Sequence, residues 1–153
     1  MKKLYRITRD KYKHDLTGEG ARLYGGRWNR PGVAALYTSE ARSLALLELI
    51  VHFNSASALK MDYVFISLEI EEEFIYTVEM KDLPRDILSF NNTKLWDITD
   101  ELFFKKDVFA MRVPSVLVPK EYNIIINPHH KQVNFMKVVE IEAAILDDRL
   151  VKY

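Results

Sequence analysis

The 153-residue chain contains no cysteine. That excludes disulfides, thiolate metal sites and a thiol nucleophile, and it fits a reducing compartment, so a cytoplasmic protein is expected. Long apolar runs are missing too. The most hydrophobic stretch, Leu44 to Val51, is broken by Glu48 and is far too short to cross a bilayer. The N-terminus, Met1-Lys2-Lys3-Leu4-Tyr5-Arg6, continues into Arg9, Asp10 and Lys11 without the apolar core of a signal peptide. Net charge is lacking, with 22 basic residues against 22 acidic ones. A nucleic acid held by bulk positive charge is therefore not an expected partner, nor is a membrane. Glycine and proline are sparse, 5 of each, and no linker, repeat or low-complexity tract divides the chain.

What is present points to one globular domain spanning 1–153, since 48% hydrophobic and 29% charged residues are ordinary values for a folded protein. The zero net charge conceals a split. Residues 1–60 carry 11 basic and 5 acidic groups, an excess of +6, and residues 61–153 carry the opposite excess. Such an asymmetry can mark a local anion site, or it can simply mix on the folded surface.

Period-two patterns and turn signals predict strands over Leu4–Thr8, Val33–Tyr37, Tyr63–Glu71, Phe74–Val78, Phe109–Val118, Asn123–Ile126 and Phe135–Ala144. Pro114 inside one of them suggests an edge or a bulge. Lys11–Asn29, holding four of the five glycines, reads as loop. A helix is expected from the Thr38-Ser39-Glu40 cap signal to about Phe53, and it is apolar almost all round, hence buried. A second helix is expected over Asn92–Phe104, and Pro84 opens an irregular piece. Strands outnumber helices and do not alternate with them, so the class is α+β.

Several residues can carry chemistry. Glu48 sits among Leu46, Leu47, Leu49 and Ile50, where a carboxylate is costly unless paired, either with His52 one turn later or for function. Tyr24-Gly25-Gly26-Arg27-Trp28-Asn29 offers close backbone approach and an Arg able to grip a phosphate, but it is neither a dinucleotide fingerprint nor a P-loop. Trp28 can stack on a ligand ring or simply pack. Tyr37-Thr38-Ser39 lies where a buried strand passes into the helix, a common place for functional side chains. Ser115, in Val113-Pro114-Ser115-Val116, lacks the nucleophile-elbow glycines. His129 and His130 are adjacent and have no metal-ligand spacing, so no metal site is expected.

Read in order, Tyr5-Arg6-Ile7, Gly25-Gly26-Arg27-Trp28-Asn29, Leu36-Tyr37-Thr38-Ser39, Ala45-Leu46-Leu47-Glu48, Val113-Pro114-Ser115, Asn123 with Asn127-Pro128-His129, and Asp148-Arg149-Leu150 resemble the RES-domain family, the toxin half of RES–Xre toxin–antitoxin systems. No single piece is specific, but seven in order are. The resemblance implies an ADP-ribosyltransferase-like α+β fold: a split antiparallel β-sheet core with flanking helices. It implies NAD as substrate, cleavage of the nicotinamide–ribose bond, no metal, and a helix-turn-helix antitoxin of the Xre family as partner. Carried over by motif, Glu48, Arg27 and Tyr37 are the expected catalytic residues. Arg6, Gly25, Gly26, His52, Ser115 and Asn127 are expected to line or support the NAD pocket. Three other readings stand beside NAD depletion: transfer of ADP-ribose onto a protein, a non-catalytic binding module, and a nucleic-acid-binding toxin. The last is disfavoured by the balanced charge.

Overall fold

The computed structural model describes residues 1–89 and 93–151. Seven strands form one sheet: β1 (Lys2–Arg9), β2 (Leu36–Ser39), β3 (Tyr63–Ile70), β4 (Ile75–Thr77), β5 (Ala110–Pro114), β6 (Tyr122–Ile126) and β7 (Lys137–Ala144). Their spatial order is β4-β5-β6-β2-β1-β3-β7. Every pairing is antiparallel except β4 with β5. Three short helices flank the sheet, α1 (Glu19–Tyr24), α2 (Arg42–Ile50) and α3 (Lys94–Asp100). The α+β class expected from the strand-rich pattern is the one observed.

The sheet is split. β1 and β3 pair along their full length, from Lys2↔Ile70 to Arg9↔Tyr63, but β1 and β2 meet only at Tyr5↔Ser39. Two half-sheets, β4-β5-β6-β2 and β1-β3-β7, thus share one rung. What joins them is apolar burial on one face: Leu4, Leu36, Ile66, Leu68, Ile124 and Ile126 are fully shielded and form one cluster across the seam. On the other face Trp28, Ile125, Met111, Val113, Leu95 and Phe103 form a second cluster under α3. α2 lies on this second face across the seam. Its first residue, Arg42, sits over the rings of Tyr5 and Phe65, 5.3 and 5.1 Å from their centroids, and pairs with Glu140 and Glu142 of β7.

Several expectations are corrected. Lys11–Asn29 is not all loop: it holds α1, whose ends are glycines in positive-φ conformations, Gly18 at 68° and Gly25 at 70°. β2 begins at Leu36, and Thr38 and Ser39 belong to it because they continue the β6 ladder to Ser39↔Asn123. The helix therefore starts later, at Arg42, with an uncapped Ala41 before it, and ends at Ile50. It is not buried all round. Only Leu44 and Ala45 are fully covered, and Leu47 and Val51 remain exposed, because a nine-residue helix laid over a seam contacts it along one stripe. Of the helix expected from Asn92, that residue lies outside the described ones. α3 starts at Lys94 and passes at Glu101–Lys105 into a π-helical turn. Pro114 ends β5 rather than interrupting it. β4 pairs β5 only as far as Arg112, so the missing N–H of Pro114 faces no strand on that side.

Candidate active site

Glu48 is half-buried near the end of α2 and faces the start of β6. Its Oε1 accepts hydrogen bonds from Asn123 Nδ2 at 2.7 Å and from Ser115 Oγ at 3.4 Å. Ser115 is held in turn by the turn after β5, where its Oγ accepts from the N–H groups of Leu117 (3.0 Å) and Val118 (3.2 Å). Asn123 is held by Ser39, whose hydroxyl donates to Oδ1 at 2.6 Å. Both of these contacts to the carboxylate are thus hydrogen-bond donors. Among the described residues no bond is made between Glu48 and His52. His52 lies exposed just beyond the helix, its N–H closing on Leu49 O at 3.1 Å.

Tyr37 organises a second group. Its hydroxyl donates to Asn29 Oδ1 (2.7 Å) and accepts from the Trp28 N–H (3.0 Å). Asn29 is fully buried and its Nδ2 donates to Ala21 O and Val33 O, both at 2.8 Å, so one side chain ties the glycine-rich loop to α1 and to the approach to β2. Gly26 has no room for a side chain: a Cβ there would lie 2.6 Å from the Tyr37 hydroxyl and 2.9 Å from Asn29 Oδ1. The space that glycine opens is filled from within, by Tyr37 and Asn29. Gly25 needs its positive φ, and a Cβ there would press on Pro31. Trp28 packs in the core at 2% exposure, leaving its ring unavailable for stacking on a ligand. Burial pushes the Tyr37 hydroxyl above its ordinary pKa. Nearby Glu48 adds to this, while the bonds at Trp28 and Asn29 and the Arg27 charge oppose it.

Arg27 Nη1 donates to the carbonyls of Ile87 (3.0 Å) and Ser89 (3.3 Å), so the guanidinium is tied to a backbone turn and has no carboxylate partner among the described residues. Arg6 approaches from the opposite face. Its Nη1 reaches the Tyr37 carbonyl at 3.3 Å where β1 and β2 diverge, and its Nε is buried without a hydrogen bond among the described residues. Burial lowers the Arg6 pKa, and the Asp15 charge partly offsets this. Asn127 is not near Glu48. It lies past the far end of β6, where its N–H bonds Phe109 O (2.8 Å) and its Oδ1 accepts from the His129 N–H (3.1 Å), shaping a turn.

The structure therefore brings Glu48, Ser115, Tyr37, Gly26 and Arg27 into neighbouring loops and strands and leaves His52 and Asn127 outside that group. Asn123, Ser39 and Asn29 are the polar residues that sequence reasoning passed over as site residues. A signal existed for Asn123, a lone amide opening the apolar run Ile124-Ile125-Ile126. A cavity of about 410 Å³ lies elsewhere, between β4 and α3, lined by Tyr76, Val78, Ile98 and Leu102 with Asp82, Asp97, Glu101 and Lys106 at its sides. It includes none of the residues just described. Among the described residues no group of three or more His, Asp or Glu is placed to hold a metal ion, and no helix is long and apolar enough to cross a membrane.

Comparison with known proteins supplies the context for this geometry. The RES domain family matches residues 3–147. A protein named Toxin Res from Photorhabdus laumondii is 37% identical over 97% of both chains. One named Prs ADP-ribosylating toxin from a Sphingobium species is 32% identical over 90% of this chain and 88% of its own. Among solved structures, a chain of the M. tuberculosis MbcT–MbcA toxin–antitoxin complex superposes with a TM-score of 0.77 at 17% identity, covering 97% of this chain and 86% of that one, which establishes a shared fold.

Proposed function

Because the chain belongs to the RES domain family, we propose that it is the toxin of a toxin–antitoxin pair and that it acts by binding NAD and cleaving the nicotinamide–ribose bond, depleting cellular NAD. The carrying observation is Glu48: one carboxylate oxygen is held by Asn123 and Ser115 and the other has no hydrogen-bond partner among the described residues.

The chemistry calls for such a group. When the bond between the ribose C1′ and the pyridinium nitrogen breaks, the electron pair leaves with neutral nicotinamide. Positive charge then develops on C1′ and the ring oxygen, as in glycoside cleavage. A fixed carboxylate beside that centre stabilises the charge, more strongly in a half-buried site than in water. An oxygen nucleophile then bonds C1′ and gives up its proton to solvent water. Arg27 would hold the pyrophosphate by exchanging the Ile87 and Ser89 carbonyls for phosphate oxygens, a charge-assisted gain. Tyr37, its hydroxyl fully committed to Asn29 and Trp28, would serve as an immobile wall, with Arg6 bracing its backbone from behind. No step calls for a metal ion.

The purified protein is expected to release nicotinamide from NAD. Glu48→Gln should cut the rate by on the order of a hundredfold to a thousandfold while circular dichroism and melting temperature stay unchanged. Full activity in that variant would remove Glu48 from the mechanism. Arg27→Ala should raise the NAD dissociation constant about tenfold or more. A second reading, transfer of ADP-ribose to a protein, is favoured by the name of the Sphingobium relative. Labelled NAD separates the two, since label retained on protein means transfer and free ADP-ribose or its phosphate means consumption. A purely binding role predicts no NAD loss at any concentration. The partner on this reading is an Xre-type helix-turn-helix antitoxin, in line with the structural neighbour having been solved as a toxin–antitoxin complex. Adding the product of an adjacent helix-turn-helix gene should abolish NAD loss.

A further inference from the structure

Ser115 and Asn123 hold Glu48 in different ways, and the difference points to a residue one step further out. Ser115 Oγ accepts two backbone N–H bonds, so its own proton is directed to Glu48. Asn123 is an amide that can in principle be turned over, and turned over it would set Oδ1 against the Glu48 carboxylate. Ser39 stands directly opposite Asn123 in the β2–β6 ladder and donates to Oδ1 at 2.6 Å, which fixes the amide with Nδ2 toward Glu48. The hydrogen bonds run one way, from Ser39 to Asn123 to Glu48 Oε1. Both donors converge on that single oxygen, and Oε2 takes no hydrogen bond among the described residues.

We infer that Asn123 and Ser39 are positioning residues: a cross-strand relay that pins Glu48 by Oε1 and so presents Oε2 at a fixed angle to the reacting ribose. This rests on the reading of Glu48 as the carboxylate at the reacting centre. Neither residue touches the reacting atoms. They act by removing the rotation of the carboxylate, because preorganised charge stabilises a developing cation better than charge that must reorient. NAD in its ground state is gripped elsewhere, so the relay should show in kcat and not in KM. The ionisable group that registers the Glu48 charge is Tyr37 of β2, which also registers that of Arg27 in the glycine-rich loop.

The test uses the full chain and steady-state nicotinamide release. Ser39→Ala is expected to lower kcat about tenfold with KM within about twofold of wild type. Ser39→Thr, which keeps the hydroxyl, should retain at least about half of wild-type kcat. Asn123→Asp, which sets a second carboxylate against Glu48, should lower kcat about a hundredfold. These are effects of the size expected for charge-assisted hydrogen bonds. If Asn123→Asp does not fold, the Ser39→Ala and Ser39→Thr pair decides. Wild-type kcat in Ser39→Ala overturns the relay, and so does an equal loss in Ser39→Thr. The side-chain amide of Asn123 gives a readout without catalysis: in ¹H–¹⁵N spectra of the unliganded protein its two protons should shift in Ser39→Ala and not in Ser39→Thr. A wild-type protein inert toward NAD would sink the catalytic reading of Glu48. The amide spectrum would still settle whether Ser39 orients Asn123, and an unmoved resonance would refute it.

Discussion

A phenol hydroxyl with both its donor and acceptor roles filled is a structural part before it is anything else. Tyr37 fills them with Asn29 Oδ1 and the Trp28 N–H, in a place where Gly26 leaves room only for that oxygen. Tyr37→Phe therefore strands a carbonyl oxygen and a backbone N–H, and should cost about 1–3 kcal/mol in denaturant unfolding. Its raised pKa has a definite sign in pH-dependent stability. The folded state favours the protonated phenol, so the contribution is fully present below the ordinary value of 10.0 and is lost as the pH climbs from there toward the folded value. In an alkaline titration followed by tyrosinate absorbance, Tyr37 should stay un-ionised after the exposed tyrosines have titrated. Gly26→Ala tests the same packing from the other side, since the added methyl must displace the hydroxyl. It should destabilise by about 1–3 kcal/mol, and Tyr37→Phe in that background should relieve part of the loss.

At the level of elements, the passage from β2 to α2 is clamped by Glu40. Its carboxylate takes two bonds from Arg112 of β5, at 2.7 and 3.2 Å, and lies 3.1 Å from Lys2 of β1. Burial alone would raise the Glu40 pKa. The hydrogen bonds from Arg112 and Lys2, with their charges, outweigh burial and leave it below the ordinary value of 4.5. Stability from this clamp is present above that value and lost as the pH falls through the folded one. Water still screens the group, so Glu40→Gln should cost no more than about 1 kcal/mol at pH 7, and the cost should shrink as the pH is taken down through the folded value, as compared by thermal melts. The strands of the fold were legible because period two survives in Val64, Ile66, Leu68 and Ile70, which are buried as the alternation requires. The start of α2 was not, because Ser39 looks like a helix cap and its hydroxyl is spent on Asn123. α1 was missed because its glycines were read as loop, when two of them stand at its ends as caps. In the site, the charged and aromatic residues could be found from residue type and motif. The amides Asn29 and Asn123 stood within the motifs, but their roles could not be read there, since these lie in partners 8 and 75 residues away.

For the whole molecule, the opposing charge of the two sequence halves turns out to be partly spent inside the fold. Arg30 pairs with Asp97 and Asp100, and Arg42 with Glu140 and Glu142, so basic residues of the first half meet acids of the second. Arg27 is different, bound to carbonyls with no carboxylate partner among the described residues, and the anion-site reading now rests on that residue rather than on the +6 excess. The half-sheets cohere through side chains more than through backbone. Leu36, buried at the seam, should on replacement by Ala cost about 2–5 kcal/mol in denaturant unfolding, with one cooperative transition retained because the apolar cluster spans both halves.

The seam also makes the proposed activity conditional on an intact sheet. Ser39 is at once the residue through which β2 meets β1 and the residue that orients Asn123 toward Glu48. If the half-sheets part, the Ser39–Asn123 bond survives within one of them, but α2, whose Arg42 is seated on Tyr5 and Phe65 of the other, loses its support across the seam, and with it the fixed position of Glu48. On the proposed mechanism, a copy whose seam is open is therefore expected to be inactive toward NAD.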